Sequence, residues 1–205
     1  MAEPHESRIY SDFARFYDSV FGRAFVDRER EVIESLNLRP GHRVLEVGVG
    51  TGISLGAYPP YVHVVGIDPS RDMLAQAAAK TRDNAWGHIE LHPGDAMNLD
   101  FPDNSFDDVT SFHVISVVPD AARMMNEMVR VCKPGGRIVV VNHFASENPF
   151  LFFFGKLITP ITKLLGWTAR LRASKVLETR NIRLERFHRF SRMSVHFVLI
   201  ARKEA

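Results

Sequence analysis

The chain has 205 residues, 45% of them hydrophobic and 24% charged, which fits one domain with a sizeable core or one domain plus a small elaboration. Its formal net charge is only +2, but residues 1–148 carry 14 Lys and Arg against 21 Asp and Glu, whereas residues 149–205 carry 12 against 3. A single cysteine, Cys132, excludes an internal disulfide and a thiolate metal cluster, so no metal site is expected.

Met1 to Ser7 is polar and acidic, without the basic and then apolar regions of a secretory signal, and the expected location is the cytoplasm. From Arg8 to Val26, Ile9, Phe13, Phe16, Val20 and Phe21 recur at helical spacing among Arg15, Asp18 and Arg23. This amphipathic helix or helix pair either packs on the domain or serves as a lid or membrane-contacting element. Asp27 to Leu36 continues as a charged helix ended by Arg39-Pro40-Gly41, so residues 1–36 read as N-terminal lid helices.

Val44, Leu45 and Val47 form a short buried strand that runs into Gly48, Gly50 and Gly52. Glycine lets the backbone take positive φ and approach a bound molecule. The dinucleotide fingerprint requires a sixth-position glycine, and counting from Gly48 that position is Ile53. Glu46 stands in the strand, and no Lys or Arg lies between Val44 and Gly56, so a polyanionic pyrophosphate fits poorly. A cationic ligand such as S-adenosylmethionine, with its sulfonium and α-ammonium, fits better, and Glu46 is expected to hold the ammonium directly or through water.

A helix is expected from about Gly52 to Ala57, stopped by Pro59-Pro60, and then a strand from Val62 to Ile67. Asp68 follows, 20 residues beyond Gly48, where a carboxylate can accept both hydroxyls of a ribose; an N-cap role before Ser70 is compatible with this. Ser70 to Arg82 reads as an Ala-rich helix with Met73 and Leu74 inward, His88 to His92 as a strand, and Gly94-Asp95-Ala96 as the loop after it. Asp107 to Phe112 is the fourth strand and ends at His113. Pro119 to Cys132 is a helix closed by Lys133-Pro134-Gly135-Gly136, and Arg137 to Asn142 is the fifth strand. Cys132 ends an apolar helix as a buried structural thiol.

The run Glu46-Val47-Gly48-Val49-Gly50-Thr51-Gly52 resembles motif I of the class I S-adenosylmethionine-dependent methyltransferases. The stretch before the fourth strand and the CKPGG before the fifth are similar to the same family, so the resemblance covers roughly residues 40–145. It implies an α/β, doubly wound (Rossmann-like) seven-stranded sheet, mostly parallel with an antiparallel C-terminal strand, and helices on both faces. It also implies S-adenosylmethionine bound by Tyr17, Glu46, Gly48, Gly50, Thr51, Gly52, Asp68, Pro69, Ser70 and Met73, with Asp95, Ala96 and Met97 at the adenine. His113, at the carboxyl end of a strand beside the switch point, is expected to face the cofactor.

Beyond the fifth strand, residues 146–180 read as a substrate- or membrane-facing insertion. Pro149 to Trp167 contains four Phe but is interrupted by Lys156, Pro160 and Lys163, which rules against a spanning helix. Lys156, Thr159 and Lys163 gather on one face of an otherwise apolar helix, an interfacial pattern, while a core helix over the substrate pocket is the alternative. Seven basic residues between Arg170 and Arg189 suit an anionic membrane better than nucleic acid, because no stacking platform or nucleic-acid module is visible. Asn181 to Phe190 and Ser194 to Arg202 alternate as the last two strands. The FARFYD, SVVPD, VNHF and LGW segments resemble the bacterial phosphatidylethanolamine N-methyltransferases of the Rhodobacter type, and the quinone C-methyltransferases share the cofactor half. That resemblance implies a phospholipid substrate at the inner face of the cell membrane and no protein partner. Tyr17 and His113 are then the candidates to handle the amine proton, with His143, Arg180 and Arg183 on the substrate.

Overall fold

The computed structural model describes residues 22–143, 179, 181–190 and 196–204. Seven strands form one sheet in the order β3-β2-β1-β4-β5-β7-β6. They are β1 Arg43–Val47, β2 His63–Asp68, β3 Ile89–Pro93, β4 Phe106–Phe112, β5 Cys132–His143, β6 Ile182–Arg189 and β7 His196–Lys203. Among the described residues the α-helices are α1 Gly22–Ser35, α2 Arg71–Asp83 and α3 Ala121–Val131. The first five strands pair in parallel, β7 pairs antiparallel with β5, and β6 pairs antiparallel with β7. The doubly wound fold expected from the sequence is the one observed, and the strand order reverses between β1 and β4, where such sheets open a crevice.

The alternation of side chains along each strand separates two cores. Leu45, Val47, Val65, Val109, Ile138 and Leu199 face α3, which contributes Met124, Met125 and Met128. Val44, Val64, Phe112, Val139, Val141 and Val198 face α1 and α2, which contribute Val32, Ile33, Leu36 and Ala77. Burial on both faces explains why β1 reads as a nearly continuous apolar run. It also makes the one acid of that run conspicuous, since Glu46 is 1% exposed and lies on the α1 face.

Helix starts follow their capping residues. Ser70 Oγ accepts from the Met73 amide at the head of α2, and Asp120 Oδ1 accepts from the Arg123 amide at the head of α3. The helix expected from Gly52 to Ala57 is instead one 3-10 turn, Leu55–Ala57. Gly52 stands at φ +77, outside helical space, and Pro59-Pro60 leaves no room for a second turn. The Lys133–Gly136 punctuation lies within the bounds of β5, at an irregularity where the register jumps between Phe106 and Asp108. Cys132 is fully buried, and desolvation pushes its thiol up to about 12, the inert state expected of it.

The described part of the segment read as lid helices, α1, is built into the second core through Val32, Ile33 and Leu36. No helix among the described residues is long and apolar enough to cross a membrane. Residues 144–178, on which the interfacial reading rests, lie outside the described residues.

Candidate active site

The loop after β1 is held by its own backbone. Gly48 and Val49 both donate to the Ile67 carbonyl, at 2.8 and 2.9 Å, tying the loop to the end of β2. Gly48 takes φ +77, and a Cβ there would stand 2.2 Å from Val114 Cγ2, so the residue after His113 closes on it. Gly50 takes φ +55 with nothing within 4 Å of where its Cβ would be, so what requires glycine there is backbone conformation and open space, not a neighbour. A Cβ on Gly52 would meet Leu55 and Ala77, which seats the loop on α2. Lys80, from the last turn of α2, donates to Thr51 Oγ1 at 3.3 Å.

Asp68 ties this loop to the next. Its Oδ2 accepts from the Gly50 amide and its Oδ1 from the Ser70 amide, both at 2.9 Å. Each oxygen keeps a lone pair for a ligand hydroxyl. Burial raises its pKa, against the opposing pull of those two amides. The cap of α2 is Ser70, so Asp68 acts as a brace between loops. Pro69 joins the two, and Met73 is half-buried in the first turn behind them.

Glu46 requires a correction. Its Oε1 accepts from Ser54 Oγ at 2.5 Å and its Oε2 from the Tyr58 hydroxyl at 2.7 Å, and Tyr58 also bonds Thr110 Oγ1. The carboxyl is turned into the α1-side core under the loop, with both oxygens already engaged. With the residue 1% exposed, the direct contact with a ligand ammonium, one of the two roles expected from the sequence, has no geometry here, and the role through water is the one left. Desolvation raises its pKa to about 7, the two hydroxyl bonds pulling the other way. Ser54 and Tyr58 carried no sequence signal of their own; only an acid inside a buried strand announced that hydroxyls had to surround it.

The remaining loops meet at the same edge. Gly94 donates to the Asp68 carbonyl, Asp95 is exposed with Oδ1 accepting from the Met97 amide, and Ala96 is buried beside it. His113 follows β4 at φ +62, a left-handed conformation that few residues with side chains adopt, and its amide donates to the Val141 carbonyl at 2.7 Å. Its Nε2 lies 3.5 Å from Glu29 Oε1 of α1, and its ring meets that of His196 edge-on with centroids 5.1 Å apart. Sequence reading missed both partners. Glu29 sits at the apolar-stripe spacing of Val32, Ile33 and Leu36, the one signal that could have marked it as buried.

Of the substrate-side candidates, Arg183 is at the wrong end of the sheet. It pairs with Arg202, which pairs with Arg137, whereas His196 pairs with His143 at the site end. Six residues of β5 at ~3.3 Å each separate the two levels by about 20 Å. The arginine of β6 that reaches the site end is Arg189, opposite Phe197 with its guanidinium 4.7 Å from that ring. The backbone of His143 lies opposite His196, and its side chain, like Tyr17 and Arg180, is outside the described residues.

These loops offer carboxylates and amides around open space above Gly50, a set that fits a ribose and a cationic centre. Residues 45–140 match the family model described as methyltransferase domain. The chain is 42% identical over 180 residues to the phosphatidylethanolamine N-methyltransferase of Cereibacter sphaeroides, covering 87% of each. It belongs to the class I S-adenosylmethionine-dependent methyltransferases. This methyltransferase is also 30% identical to the demethylmenaquinone methyltransferase of Anoxybacillus flavithermus, over 82% of this chain and 80% of that one. In fold it is similar to the YcgJ protein of Bacillus subtilis, with a TM-score of 0.73 and 19% identity over 87% of this chain and 99% of that one.

Proposed function

We propose that this methyltransferase acts at an anionic membrane surface and methylates the head-group amine of phosphatidylethanolamine, and then its mono- and dimethyl forms, toward phosphatidylcholine. The observation that carries the reading is the 42% identity to a phosphatidylethanolamine N-methyltransferase across 87% of both chains. The basic excess of residues 149–205 supports a contact with anionic lipid at the inner face of the membrane.

In this reading Asp68 receives the ribose hydroxyls, the backbone of Gly48 to Gly52 lets the nucleoside approach, and Asp95 with the Ala96 amide meets the adenine beside Met97, whose own amide is bonded to Asp95. Glu46 supports the loop from beneath. S-adenosylmethionine supplies an electrophilic methyl on sulfonium. The protein's own contribution is alignment in a dry pocket, because an in-line displacement needs the amine and the methyl collinear with the sulfur. The amine must arrive without its extra proton, and His113 stands at the strand end where it would be taken. Arg189, not Arg183, is the described β6 arginine at the level of a head-group phosphate.

A carbon-methylating quinone enzyme is the second reading, favoured by the 30% identity to a demethylmenaquinone methyltransferase over most of both chains. Incubation with methyl-labelled S-adenosylmethionine and a total lipid extract separates the two. Label in N-methylated phospholipid is the expected result, and label in a quinone fraction would replace the proposal with the alternative.

A further inference from the structure

Beside its buried methionines, α3 carries Arg123, Glu127 and Arg130 at intervals of four and three residues, which sets them in one row along the helix. All three turn their polar atoms to the backbone that follows β3. Arg123 Nε donates to the Met97 carbonyl, Glu127 Oε2 accepts from the Leu99 amide, and Arg130 donates to the Leu99 and Phe101 carbonyls, each at 2.8 Å. Arg130 also bonds Glu127 and Asp103 at 2.8 Å. Arg130 and Glu127 thus hold the exit of the loop, and Arg123 holds the part that contains Asp95, Ala96 and Met97.

Met97 is fixed on both sides of its own residue. Its amide donates to Asp95 Oδ1 at 2.8 Å, and its carbonyl takes the Arg123 guanidinium. The Asp95 carbonyl accepts from the Asn98 amide at 3.0 Å, closing the loop into a turn. With Oδ1 on the Met97 amide, Asp95 Oδ2 is left to accept from an amine. The base of the Arg123 side chain is itself rigid, because its amide is capped by Asp120 Oδ1 and the next two residues, Met124 and Met125, are fully buried.

We propose that Arg123 is a positioning residue that determines base specificity at the cofactor site. By anchoring the Met97 carbonyl it sets the angle at which the Asp95 carboxylate meets the exocyclic amine of adenine. This rests on the placement of Asp95 at the adenine given above and is independent of which molecule accepts the methyl group. In this role Arg123 acts through Met97 and not on the cofactor itself. A site built to hydrogen-bond an amine rejects an analogue without it, because the acceptor is left unpaired. In S-inosylhomocysteine a carbonyl oxygen replaces that amine, so lone pairs face Asp95 where adenine presents protons. The sharper the orientation of Asp95, the larger the difference between the two bases.

The test measures, by calorimetry, the affinities of the parent, Arg123→Met, Arg123→Lys and Asp95→Ala for S-adenosylhomocysteine and for S-inosylhomocysteine, with thermal melts of the unliganded proteins. The parent is expected to prefer the adenine compound by about tenfold or more. Arg123→Met keeps the aliphatic stem and loses the donor. It should cut that preference at least about threefold with Tm within about 3 °C of the parent, because the bond it removes is exposed. Arg123→Lys can still donate to the Met97 carbonyl and should recover part of the preference, and Asp95→Ala should abolish it. A preference undiminished in Arg123→Met, or a loss of the same factor for both compounds, would overturn the proposal and leave Arg123 a tie of the loop without a part in reading the base. Equal binding of the two compounds by the parent, or a preference that survives Asp95→Ala, would instead overturn the placement of Asp95 at the adenine, and the role of Arg123 with it.

Discussion

Replacing Glu46 with Gln tests the buried carboxyl network directly. Burial raises the Glu46 pKa from 4.5 to about 7, so the fold binds this proton more tightly than the unfolded chain does. The sign is therefore the reverse of that for a salt-bridged acid. Glu46 costs nothing below pH 4.5, its ionisation weakens the fold progressively from there to about 7, and the full penalty persists above that. A displacement of about 2.5 pH units corresponds to roughly 3 kcal/mol at pH 8 and under about 1 kcal/mol at pH 5. Gln keeps the shape and carries no charge, and the Ser54 and Tyr58 hydroxyls can reorient toward its amide. Urea unfolding of parent and Glu46→Gln at both pH values should show the variant gaining roughly 2–3 kcal/mol relative to the parent between pH 5 and 8, equivalent to about 5–10 °C in Tm for a chain of this size. An unchanged stability difference across that range would refute a neutral, desolvated Glu46 and would mean that the carboxyl is ionised and stabilised by contacts beyond its two hydroxyls.

Asp68→Ala removes the brace between Gly50 and Ser70 along with the proposed ribose acceptor, and calorimetry should record at least a tenfold loss of S-adenosylmethionine affinity, about 1.4 kcal/mol. Two glycines should behave differently: Gly48→Ala meets Val114 and should lower Tm strongly, whereas Gly50→Ala meets nothing and should cost only about 1–2 kcal/mol of backbone strain while weakening cofactor binding more than that. Thermal melts with and without cofactor distinguish the two cases. Lys156→Glu with Lys163→Glu, outside the described residues, should reduce flotation on anionic vesicles and leave cofactor affinity intact; equal flotation would remove the membrane-facing basic stripe.

Much of the fold was legible in the sequence because its signals are local. Apolar runs with β-branched residues marked strands buried on both faces, Ser70 marked the head of α2, and the glycines after Val47 marked a turn that only positive φ allows. Asp68 was singled out by its interval from Gly48 and its place at the end of β2, and the structure puts its carboxyl against the Gly50 amide of that loop. The sequence could not say which way a side chain turns once strands pair. Glu46 and Asp68 both read as ligand acids, one for an ammonium and one for a ribose, yet one points into the α1-side core and takes hydroxyls while the other takes the amides of two loops. Arg183 was singled out of one basic run for the substrate, and only the register of β6 on β7, Arg183 opposite Arg202 and Arg189 opposite Phe197, set the two about 16 Å apart at ~3.3 Å per residue, with Arg189 at the site end. Glu29, His113 and His196 are separated by 84 and 83 positions in the chain, and only the packing of α1 and β7 beside the tip of β4 joins them. Local chemistry wrote the glycine loop into the sequence, whereas the Glu29, His113 and His196 cluster exists only through contacts between distant elements, which no local pattern encodes.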